Sequence, residues 1–130
     1  MKKSKSDPAS VSDAPGQPDY TDVTSNSVTL KWDAPKHDGG SKVTAYNVEK
    51  RQGKGRWLKS NFTDVHECNF TVAGLACNER YEFRVIARNA IGTVSPPSQS
   101  SGYIVVRDES GKLIQYFGFK PCKNFAWFTL

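Results

Sequence analysis

The chain has 130 residues, 37% of them hydrophobic, which is enough for one domain core and too little for two. It contains no apolar run near the roughly 18–20 residues of a membrane helix, and no apolar stretch follows the basic start Met1-Lys2-Lys3, so neither a membrane partner nor a secretory signal is expected. The net charge of +5 divides into +1 over residues 1–13, +1 over 14–109 and +3 over the last 21 residues, which is not the continuous basic stripe of a nucleic-acid binder.

Residues 1–13 are rich in Ser, Lys and Asp and read as a disordered leader, and Pro15-Gly16-Gln17-Pro18 marks entry into a domain spanning 14–109. Residues 20–24 form the expected first strand. Residues 27–32 then alternate, with Val28, Leu30 and Trp32 on one face and Thr29 and Lys31 on the other. Residues 43–50 alternate through Tyr46 and Val48, residues 56–60 carry Trp57, and residues 67–72 carry Cys68, Phe70 and Val72. Residues 81–88 alternate most strongly: Tyr81, Phe83, Val85 and Ala87 face inward, while Glu82, Arg84 and Arg88 face outward. A short β-branched strand at 103–107 ends the series. Clusters such as Asp38-Gly39-Gly40, Gly53-Lys54-Gly55, Ala73-Gly74 and Pro96-Pro97-Ser98 punctuate these segments as turns. Seven short strands separated by turns predict an all-β, seven-stranded antiparallel sandwich.

After residue 109 the composition changes abruptly. Six aromatic residues fall between Tyr116 and Phe128, and the segment 110–130 is expected to be non-native or disordered. The cysteines, Cys68, Cys77 and Cys122, are odd in number and have no CxxC spacing. Free thiols at Cys68 and Cys77 are expected, with a bridge between those two as the alternative.

No catalytic, cofactor or metal site is expected. His66 and Cys68 share a strand face, but structural zinc needs four ligands and no further Cys or His lies nearby in sequence. A surface His beside a buried Cys accounts for the pair. Asn61-Phe62-Thr63 and Asn69-Phe70-Thr71 both satisfy the glycosylation sequon. The candidate binding surface is basic: Arg51, Lys54, Arg56 and Lys59 flank a tight hairpin, and outward Arg84 and Arg88 lie on the sixth strand. It fits an acidic partner, against the simpler reading of a solvated sheet face.

In order and spacing, several residues together resemble the fibronectin type III family. They are Trp32 with Pro35 after it, Tyr46, Leu75 six residues before Tyr81, and Asn89-Ala90-Ile91-Gly92. The resemblance implies a sandwich whose core includes Trp32, Tyr46, Leu75, Tyr81 and Phe83, with Leu75 and Tyr81 forming the tyrosine corner. Trp32-Asp33-Ala34-Pro35, Asp38-Gly39-Gly40-Ser41 and Gly55-Arg56-Trp57 narrow it to the type III modules of giant sarcomeric proteins. That likeness implies a non-catalytic scaffold module, monomeric in isolation and located in the cytoplasm at the A-band. Its partners would be other protein modules, myosin or other thick-filament proteins. An extracellular adhesion or receptor module of the same fold is the rival reading.

Overall fold

The computed structural model describes residues 12–107, which hold seven strands and no helix. The strands are β1 (Asp19–Val23), β2 (Val28–Lys31), β3 (Val43–Gln52), β4 (Leu58–Lys59), β5 (Asn69–Val72), β6 (Arg80–Asn89) and β7 (Ile104–Val105). All pairs are antiparallel. They build a three-stranded sheet β1-β2-β5 and a four-stranded sheet β4-β3-β6-β7, which is the expected sandwich. The tail at 110–130 lies outside the described residues.

Period-two alternation puts Val28 and Leu30 of β2 against the inner residues of β6, and all are buried. The β3–β6 register sets Tyr46 opposite Ala87 and Val48 opposite Val85, so the four-stranded sheet presents one continuous apolar face. Trp32 lies just past β2 and keeps its place through an N–H bond to the Cys68 carbonyl at 3.0 Å. Its ring meets Tyr46 edge-on, at 5.4 Å between centroids and 69° between planes. Among the described residues the indole Nε1 has no hydrogen-bond partner. Trp32, Tyr46, Leu75, Tyr81 and Phe83 are each 5% exposed or less. Phe70 is only half-buried, because β5 is an edge strand of its sheet.

The loop before β6 is tied across the domain. The Tyr81 hydroxyl accepts the Ala76 N–H at 2.8 Å, and the Leu75 N–H reaches the Asn26 carbonyl at 2.9 Å. Asn78 adopts φ 68°, a left-handed conformation that Asn tolerates better than most side chains.

Residues 95–101 cover the far edge of β6 in an unusual way. The N–H groups of Ser95, Ser98 and Ser101 bond the carbonyls of Ala87, Val85 and Phe83, each at 2.8 Å. The three hydroxyls accept from the N–H groups of those same residues at 2.8, 2.9 and 3.0 Å. Pro96 and Pro97 have no N–H and cannot extend a regular ladder, so serine oxygens stand in for missing carbonyls.

The thiols differ from expectation. Cys68 is free, with Sγ donating to the Tyr46 hydroxyl at 3.5 Å, whereas Cys77 is disulfide-bonded. The Cys68–Cys77 bridge therefore does not form, and among the described residues the free thiol is Cys68. Burial, and then the hydrogen bond and charge of Cys68, push the Tyr46 phenol above its ordinary value.

The chain enters and leaves at opposite poles. Asp13, on the leader side of the expected boundary, bonds His37 in the loop after β2 through its backbone and its carboxylate. Val106, at the other end, bonds Asn78 and Glu79 in the loop before β6.

Candidate functional site: a charged sheet face and its basic edge

The outer face of the four-stranded sheet gathers most of the basic residues singled out in the sequence. In the β3–β6 register Glu49 lies opposite Arg84 and Arg51 opposite Glu82, so charges alternate across the strands. Arg84 Nε donates to Glu49 Oε1 at 2.7 Å. Arg51 bonds Glu82 Oε2 through Nη2 at 2.7 Å and Nε at 3.2 Å. Arg88 pairs with Asp64 at 2.6 Å. Trp57 comes in from the hairpin before β4, and the Arg84 and Arg51 guanidinium carbons lie over its ring at 4.3 and 4.8 Å. These arginines are thus occupied twice, by a carboxylate and by an aromatic face.

Glu82 alternates outward as read from the sequence, yet it is buried. The segment carrying Ser100 folds over it, and the Ser100 hydroxyl donates to Oε1 at 2.7 Å. That hydrogen bond, followed by those from Arg51, holds the carboxyl below the usual carboxylate range. The Asp64 carboxyl is likewise lowered, chiefly by its hydrogen bond from Arg88. Nothing in residues 81–88 signals the cover over Glu82, because it comes from residues nearly twenty positions later.

Lys54, Arg56 and Lys59 are exposed, and among the described residues none of them enters an ion pair. The sheet therefore brings the six candidate residues together but divides them. Arg51, Arg84 and Arg88 belong to a neutralised network, and the other three line the edge at β4. Lys50, next to Arg51, is opposite Phe83 and so belongs to the other side of the sheet.

The remaining candidates have separate partners. His66 Nδ1 pairs with the Thr44 carbonyl at 2.9 Å while Cys68 meets Tyr46, so the two do not act as a pair. Among the described residues no three His, Cys, Asp or Glu side chains gather as a ligand set. Asn61 is buried: its Oδ1 accepts the Val48 N–H at 2.9 Å and its Nδ2 donates to the Thr63 carbonyl at 2.8 Å. With this amide buried and its Nδ2 hydrogens directed at the Thr63 and Tyr46 carbonyls, a glycan has no room there in the folded domain, which leaves Asn69 as the exposed sequon.

Comparison with known proteins agrees with this architecture. The profile of the fibronectin type III domain matches residues 13–102. The chain is 42% identical over 98 residues to a titin homolog of Caenorhabditis elegans and 37% identical over 107 residues to titin of Drosophila melanogaster, with 75% of the chain covered in each. It is 33% identical over 97 residues to cardiac-type myosin-binding protein C of Mus musculus, covering 74% of the chain. It spans only about 1% of the fly titin and 8% of that myosin-binding protein. Among solved structures, titin module A71 from human cardiac muscle is 52% identical with a TM-score of 0.69, covering 73% of this chain and 92% of that one. The sandwich, the tyrosine corner and these similarities lead to one conclusion: the chain belongs to the fibronectin type III family.

Proposed function

We propose that this domain is a non-catalytic structural and protein-binding module of a titin-like sarcomeric scaffold. In this reading it lies in the cytoplasm at the A-band, carries tension along its parent chain and docks on thick-filament proteins such as myosin. The observation that carries the reading is the 52% identity to a cardiac titin module, of which the alignment covers 92%.

The topology supports load bearing. The chain enters beside His37 and leaves beside Asn78, at opposite ends of long strands, so modules in series pull along the strand axis. The first strand is bonded to β2 and the last to β6, in different sheets. Tension then shears several hydrogen bonds together instead of opening them one at a time. The basic residues Arg51, Lys54, Arg56, Lys59, Arg84 and Arg88 are the proposed contact surface for an acidic rod.

Cosedimentation with purified myosin filaments tests the docking. The expected result is binding that weakens as salt rises. No binding at low ionic strength would remove docking from the reading and leave the load-bearing role.

A further inference from the structure

We infer that the free edge formed by residues 54–62 is a docking strip for an acidic protein segment that carries an apolar side chain. This rests on the binding-module reading above and narrows it to one part of the surface and one partner chemistry.

Three observations converge on the strip. First, Arg51, Arg84 and Arg88 already have carboxylate partners, which leaves Lys54, Arg56 and Lys59 as the exposed cations of this region with no ion pair among the described residues. Second, β4 is the outermost strand of its sheet, and among the described residues no further strand pairs with its far side. Third, two large apolar side chains are exposed along the same edge: Phe62 at 101%, and Leu58 at 56%, which is opposite Lys50 and so alternates to the other face of the strand from Lys59.

Cations on an edge strand can serve simply to block self-pairing. That role requires no apolar groups, and here two are presented with the charges. Phe62 is not the tip of a loose loop either. Its neighbour Asn61 is pinned to Val48 and Thr63, and Ser60 N–H bonds the Val48 carbonyl at 2.7 Å, so the backbone that displays Phe62 is held in place. A preorganised strip of cations interleaved with apolar anchors matches a segment alternating carboxylates with apolar residues. A polyphosphate has no apolar group to place against Leu58 and Phe62, so the exposed apolar side chains favour a peptide.

The test is titration of the ¹⁵N-labelled chain with a synthetic Glu/Leu peptide, alongside a Glu/Ser peptide of equal charge. The expected result is amide shifts centred on residues 54–62, stronger with the Leu peptide and weaker as salt rises. Combined Lys54→Glu, Arg56→Glu and Lys59→Glu substitution should weaken binding roughly tenfold or more, taking each exposed pair at the upper end of its usual contribution. Leu58→Ser with Phe62→Ser should also weaken it. All these side chains are exposed, so an unchanged melting temperature separates lost binding from lost folding. Shifts centred on Arg84 and Arg88, equal binding of the Ser peptide, or tighter binding of RNA or anionic vesicles would overturn the inference. So would a chain that cosediments with myosin filaments but ignores the peptide, an outcome that leaves the docking function intact.

Discussion

Trp32 and Asn61 show two ways in which one side chain holds this domain. Trp32 fills the space between the sheets, and its loss leaves a cavity lined by residues from both. Trp32→Ala is expected to cost about 3–5 kcal/mol. Trp32→Phe should cost clearly less, because a ring remains and the buried Nε1, which has no partner among the described residues, is removed. Denaturant unfolding of the two variants would check this order, and equal losses would contradict the packing account. Asn61 acts through hydrogen bonds. Its amide pairs with the main chain of Val48 and Thr63 beside β3, where β4 has already ended. Asn61→Ala leaves the buried Val48 N–H without an acceptor and should cost about 1–3 kcal/mol. Amide exchange at Val48 should quicken in that variant.

At the scale of elements, the serine-lined segment beside β6 and the charge network across β3 and β6 make separate predictions. Ser98→Ala deletes the acceptor for the buried Val85 N–H and should destabilise the fold by about 1–3 kcal/mol. Exchange at Val85 should respond more than exchange at residues of β2, since the serine segment covers only β6. In the network, Arg84→Glu places two acids opposite each other, and adding Glu49→Arg restores the pair in reversed order. The double variant should recover roughly 0.5–1 kcal/mol over the sum of the single changes, a coupling that a double-mutant cycle reads directly. Stacking on Trp57 is not restored by the swap, so recovery should be incomplete.

For the whole molecule, the pH dependence follows from Glu82. Its carboxyl is depressed in the folded state by Ser100 and Arg51. A depressed carboxyl contributes stability that is fully present above its unfolded value and is lost as pH falls through its folded value. Wild type should therefore exceed Glu82→Gln in melting temperature near neutral pH, with the gap closing as pH falls below the ordinary carboxylate range. Calorimetry near neutral pH and in acid checks the sign. A gap that widens in acid would mean that Glu82 is not held as a carboxylate.

The sandwich was legible because alternation is a local property. Val28, Leu30 and Trp32, or Tyr81, Phe83 and Val85, mark a buried face with a period of two wherever the strand finally packs. The corner at Leu75 and Tyr81 was legible through the family resemblance, of which their six-residue spacing is a part. The candidate surface was legible as composition only. Arg51, Lys54, Arg56, Lys59, Arg84 and Arg88 look alike along the chain, but strand register set Arg51 and Arg84 opposite carboxylates, and the loop after β4 brought Asp64 to Arg88. Topology left the other three on an open edge. The burial of outward-facing Glu82 and of Asn61 in its sequon was not legible for the same reason. Whether a polar group is spent or available depends on groups far away in the chain, and only the folded arrangement brings those groups within hydrogen-bond reach.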